Sequence, residues 1–130
     1  IETVIAEKWE ATVSLGEANS RLKDAIDLED LARTESFDGA VIENAIRRTF
    51  ERRSTPLDLN AALFTTAYRD SRERQTLWTA ARKRLKRTDG PEQFSEAMTL
   101  ILKFLEPLQR AAAEGREFTG TWDPKGRRWQ

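Results

Sequence analysis

The sequence predicts an all-α fold: a helical bundle of about five helices with an irregular, aromatic-containing C-terminal tail. Three observations point there. Apolar residues recur at spacings of three and four along most of the chain, the period of a helix face. Helix-start and helix-stop residues stand at the ends of those periodic runs. No run alternates apolar and polar residues in the manner of a strand. At 130 residues, the chain is expected to form one domain, residues 1–130.

The first helix is expected from about Thr3 to Leu15, stopped at Gly16. On a helical wheel Ile1, Ile5, Ala11 and Leu15 gather around Val4 in an apolar stripe, and Lys8 falls inside it. A lysine in such a place either snorkels its ammonium to water or faces a carboxylate or phosphate. A second helix, "SRLKDAIDLEDLAR", follows a cap at Asn19 or Ser20. It buries Leu22, Ala25, Ile26, Leu28 and Ala32 and turns Lys23, Asp27 and Asp30 to the opposite side. Asp24 falls between Leu28 and Leu31 on the wheel, which predicts partial burial and a partner.

The third helix starts at "SFDGAVIENAIRRTFERR", with Asp38 as N-cap, Phe37 placed to staple onto Ile42, and Val41, Ile42, Ala45, Ile46 and Phe50 as its stripe. "STPLDLNAALFTTAYRD" reads as a loop with one short helical turn, because Pro56 disfavours helix before it. A fourth helix opens with Asp70 and Glu73 at capping-box spacing and buries Leu77, Trp78, Ala81 and Leu85. The last, with Pro91 near its first position, turns Phe94, Ala97, Met98, Ile101, Leu105 and Leu108 inward. Pro107 should kink or restart it, and Gly115 should end it. In the tail, Phe118, Trp122 and Trp129 are expected to pin the chain back on the bundle.

Composition excludes several chemistries. There is no cysteine and no histidine, which removes disulfides, thiolate metal sites, histidine bases and Ser-His-Asp triads. Lys plus Arg equals Asp plus Glu at 22 each, so net charge favours no partner. The basic clusters "AIRRTFERR" and "ARKRLKR" suit either helix C-termini or phosphate contact with a nucleic acid. No Gly-rich phosphate loop is present, and no paired aspartates follow a Gly-Ser. No apolar run approaches membrane-spanning length and no signal-peptide pattern opens the chain, so a cytoplasmic location and no membrane partner are expected. The chain starts at Ile1 almost directly inside a helical pattern, which suggests a piece of something longer.

"ETVIAEKWEATVSLGEANSRLKDAIDLEDLAR" resembles a segment of the AbiEii-type nucleotidyltransferases, the toxins of type IV toxin–antitoxin pairs. The shared marks are A-E-K, then R-x-K-D-x-x-D-L, then F-x-x-R-x-T-P-L, in that order. Trp9 stands where leucine is commoner, and Ala25 and Ile26 where an aromatic pair is frequent. The resemblance implies the helical C-terminal half of a two-part enzyme whose N-terminal, polymerase-β-like nucleotidyltransferase core lies outside this chain. It also implies that Lys8 contacts the nucleotide triphosphate, with Arg21 and Lys23 beside it, and that Asp27 is catalytic or positioning. NTP and Mg2+ would be used by the full-length protein, with the magnesium ligands on the absent core, and this chain alone would be inactive. The implied partners are that core, a cognate antitoxin and an RNA acceptor such as tRNA. Two rivals stand beside this reading: a non-catalytic helical module that docks an antitoxin through the acidic face of the second helix, and a basic-patch RNA binder.

Overall fold

A computed structural model describes residues 1–18 and 22–130, with Glu17 described for its backbone only. The expected caps Asn19 and Ser20 and the candidate Arg21 lie outside the described residues. The helices are α1 (Glu2–Leu15), α2 (Lys23–Thr34), α3 (Gly39–Arg52), α4 (Thr66–Arg69), α5 (Arg72–Arg84) and α6 (Phe94–Ala113), with 3-10 turns at Gly16–Ala18 and Ala62–Phe64. The fold is thus a mostly helical bundle. The expected single turn in the "STPLDLNAALFTTAYRD" loop is two, the 3-10 turn and α4.

α6 is the centre. It touches α2, α3, α4 and α5, and Phe94, Ala97, Met98, Ile101, Phe104, Leu105 and Leu108 are buried on it. It runs through Pro107 without a break. It begins at Phe94, three residues after Pro91, and its first N–H is answered from another helix: Gln75 Oε1 of α5 accepts from Phe94 N at 2.8 Å. Gly115 follows its end as expected. Asp38 caps α3, accepting from Ala40 N at 3.0 Å. On α5 the cap is Ser71, which accepts from Arg74 N, and not Asp70, which instead closes α4.

The face of α1 that enters the core differs from the expected stripe. Ile5, Ala6, Trp9 and Val13 are buried, while Ile1, Val4 and Leu15 are exposed. Trp9 decides this, because a single indole brings more apolar area than several small residues on the opposite side. On α3, Val41 is likewise exposed, whereas Ile42, Ile46 and Phe50 are buried. Each buried polar side chain of α1 is answered. Trp9 Nε1 donates to Gln109 Oε1 at 2.8 Å, and Gln109 Nε2 donates to the Leu57 and Asp58 carbonyls at 3.0 Å. Glu10 accepts from Arg53 at 2.6 Å and Thr55 at 2.7 Å. Burial pushes the Glu10 pKa up, but the bonds from Arg53 and Thr55 outweigh it and hold the carboxyl below its usual value.

The tail is not irregular. Residues Thr121–Asp123 (β2) and Arg128–Trp129 (β3) form an antiparallel hairpin, and β2 pairs with Phe37–Asp38 (β1), Phe37 opposite Trp122. The aromatics do pin the tail as expected. Trp122 is fully buried and donates to the Ala32 carbonyl at 2.7 Å; Trp129 donates to the Phe104 carbonyl at 2.9 Å. Phe104, Phe118, Trp122 and Trp129 make one ring cluster. Gly39, the first residue of α3, lies hard against it: a Cβ there would stand 2.6 Å from Phe118 Cδ1 and 3.0 Å from Trp129. Gly39→Ala is expected to destabilise the protein by about 1–3 kcal/mol through this overpacking. Urea unfolding measures it, and an unchanged midpoint would contradict the close approach.

Candidate functional site

The candidate site forms where α1 meets α2. Leu22, Ala25, Ile26, Leu28 and Ala32 turn into the core. That sends Asp24 and Asp27, three residues apart and therefore on one face, to the rim beside α1. Lys8, next to the buried Trp9, leaves α1 at the edge of its core face. Its Nζ donates to Asp27 Oδ2 at 2.9 Å and to Asp24 Oδ1 at 3.3 Å. Lys23 Nζ donates to the same Asp27 oxygen at 3.0 Å. The Lys8 and Asp27 side chains are each 21% exposed, so the pair is largely desolvated yet reachable from solvent.

Arg87 completes the cluster from beyond α5. Lys86 takes a left-handed φ of 55°, and Arg87 N–H bonds back to the Arg82 carbonyl at 2.9 Å. This reversal of the chain carries Arg87 over α2. Its guanidinium lies 4.0 Å from Asp27 Oδ1 and 3.5 Å from Asp30 Oδ2. Asp30 also accepts from Arg33 at 2.7 Å, and Arg33 Nε bonds Glu29 at 2.9 Å. The acidic face of α2 is therefore matched by cations from its own helix, from α1 and from the end of α5.

The electrostatics fix the protonation states. Burial works against the charge on Lys8, but the hydrogen bonds and charges of Asp27 and Asp24 outweigh it and raise its pKa. Burial likewise pushes Asp27 up, and Lys8 and Lys23 outweigh it, holding the carboxyl below its usual value. Both groups are ionised at neutral pH. Asp27 is then a poor general base and a good anchor, and Lys8 is a fixed positive charge.

Of the residues singled out in the sequence, Lys8, Lys23 and Asp27 come together here. Asp24 is half-buried and paired, as its wheel position implied. Arg87 was legible only as one cation in a basic run, and no local signal marks its reach to α2. Those basic runs are partly engaged inside the protein: Arg47 with Glu43, Arg53 with Glu10 and Glu7, and Arg82 with the Asp89 carbonyl. Among the described residues, no group of three or more carboxylates is arranged to hold a metal ion. No described helix is long and apolar enough to cross a membrane.

The structure is a helical bundle that holds a lysine ammonium between two carboxylates at the rim of α1 and α2. The chain belongs to the family described as nucleotidyl transferase AbiEii toxin, type IV TA system, whose model matches residues 1–100. No curated protein and no solved structure matches it.

The depressed pKa of Asp27 has a thermodynamic consequence. Its stabilising contribution is full above the unfolded carboxyl value of about 4 and is lost as pH falls through the lower folded value. Asp27→Asn is therefore expected to cost about 1 kcal/mol at pH 7, with the gap to the parent closing in strong acid. Denaturant unfolding at the two pH values reads this, and a gap independent of pH would contradict the assigned ion pair.

Proposed function

We propose that this chain is the helical C-terminal part of a nucleotidyltransferase toxin, one that moves a nucleotide from an NTP to an RNA acceptor such as tRNA. A nucleotidyltransferase core preceding Ile1 would hold the NTP with its Mg2+. Lys8 would reach the triphosphate, and Asp27 would position Lys8. The observation that carries this reading is the Lys8–Asp27 pair: an ammonium held 2.9 Å from its carboxylate, ionised, and 21% exposed.

The chemistry asks for such a group. Phosphoryl transfer is accelerated chiefly by positive charge fixed where negative charge develops, and a lysine already held in place needs little reorganisation. Asp24 and Asp27 restrain the ammonium from two directions. The low Asp27 pKa favours the positioning role over proton abstraction. Ile1, Val4 and Leu15, exposed on the same helix as Lys8, give the proposed core an apolar surface to cover. Lys23, exposed and bonded to Asp27, would act as a second cation at the rim. The antitoxin-docking alternative through the acidic face of α2 is less favoured, because the carboxylates of that face already hold cations.

In the complete gene product, Lys8→Ala is expected to lower nucleotide transfer to RNA by about 100-fold or more, the scale of losing one preorganised electrostatic contact. Asp27→Ala is expected to lower it less, with Asp27→Glu partly restoring it. Labelled-nucleotide incorporation, with thermal melts to confirm folding, makes the measurement. Full transfer by both alanine variants would refute the assignment.

A further inference from the structure

Arg87 reaches the Lys8 cluster from a segment that is tied down on both sides. At the end of α5 the Lys86 amide bonds the Lys83 carbonyl at 3.1 Å and the Arg87 amide bonds the Arg82 carbonyl at 2.9 Å. Further along, the Asp89 carbonyl accepts from Arg82 at 2.8 Å, and the Asp89 carboxylate lies 3.5 Å from Arg33 of α2. Gly90 then passes so close to α2 that a Cβ there would stand 2.9 Å from Glu29 Oε1, and its φ of 80° also favours glycine. The backbone around Arg87 is thereby held against α2. Its guanidinium is delivered to one place, with Nη1 3.5 Å from Asp30 Oδ2 and Nη2 4.0 Å from Asp27 Oδ1.

The two oxygens of Asp27 therefore face cations from different elements. Oδ2 accepts from Lys8 of α1 and from Lys23 of α2. Oδ1 faces Arg87. A carboxylate flanked in this way keeps its plane, because a part-turn draws an oxygen away from a charge. Lys23 does not supply this restraint, since it is half exposed and shares the oxygen that Lys8 uses. Arginine suits the task better than lysine: its planar fork spans Asp27 and Asp30 at once, whereas an ammonium is a single point charge. Both contacts are longer than hydrogen bonds and Arg87 is 33% exposed, so the pair adds little to stability. Its effect is on direction.

We propose that Arg87 is a positioning residue of the Lys8 site, acting through Asp27. An ammonium has three donors. Two of those of Lys8 go to Asp27 and Asp24, and together they set where the third points for an anionic ligand. A carboxylate free to turn would carry that third donor with it. The consequence for nucleotide transfer rests on the reading of Lys8 as the group that meets the triphosphate; the positioning of Lys8 does not.

Two measurements test this. The first is competitive acetylation of lysines in the chain, with Lys8 labelling referred to the exposed Lys103 and Lys125. Removing a nearby positive charge would by itself keep Lys8 more firmly protonated and slow its labelling. Arg87→Ala is expected to do the opposite and speed it severalfold, because the held geometry is lost, with Arg87→Lys lying between. Unchanged or slower labelling in Arg87→Ala overturns the proposal. The second is nucleotide transfer by the complete gene product, with thermal melts to confirm folding. Arg87→Ala is expected to lower kcat about tenfold while KM for the NTP holds, as for a displaced rather than deleted group. Arg87→Lys is expected to restore part of the loss, and Arg87→Ala to add nothing to Asp27→Ala. A raised KM with kcat intact would make Arg87 a nucleotide contact and overturn the positioning role. So would full transfer by Arg87→Ala where Lys8→Ala abolishes it. If Lys8→Ala itself leaves transfer whole, the reading of the site as part of a transferase fails, and the labelling still decides for or against Arg87.

Discussion

The structure depends on burying α6. The face of α6 buried against α2, α3, α4 and α5 has no solvent to answer its polar groups or the N–H of the buried Phe94, so other elements must do so. Gln75 of α5 accepts from the Phe94 amide, Trp9 of α1 donates to Gln109, and Gln109 in turn holds the Leu57 and Asp58 carbonyls. Among the described residues no buried side-chain nitrogen or oxygen lacks a partner. That completeness matters because an unanswered buried polar group costs about 1–3 kcal/mol, more than most pairs contribute. The same bonds set the positions of α1 and of the loop after α3 relative to α6.

The rim of α1 and α2 follows from that placement. Once Trp9 is drawn down to Gln109, its neighbour Lys8 leaves the helix toward α2, where Asp24 and Asp27 already stand. The lysine that the wheel puts in an apolar stripe is no packing anomaly. Ile1, Val4 and Leu15 of that stripe lie on the outer face of α1, and Lys8 sits at the border between it and the core face. Its charge is balanced on the side of α2 and reachable on the other.

Much of this was legible in the sequence, and the failures have physical causes. The long helices follow from their period, and the Asp38 cap and the Gly16 stop stand where local chemistry puts them. Lys8, Lys23 and Asp27 were marked by the family resemblance, and Asp24 by its wheel position. The buried face of α1 was misjudged because counting apolar residues gives Val4 and Leu15 the same weight as Trp9, although area decides burial. The hairpin was missed because strands of two and three residues carry no period. Arg87 was missed because its reach depends on a left-handed Lys86, a conformation that lysine seldom marks.

The pairing of Phe37 with Trp122 also sets an order of events in biosynthesis. The corner between α2 and α3 is built early, yet Ala32 offers its carbonyl to Trp122 and Phe104 offers its carbonyl to Trp129. Neither can be answered until the hairpin has emerged from the ribosome. Contacts of such sequence separation are slow to close. The nascent chain therefore carries an open aromatic seam along α6 for as long as residues 121–129 are missing, a surface that chaperones are suited to shield. For a protein of a toxin family, completion of the fold is thereby tied to synthesis of the hairpin.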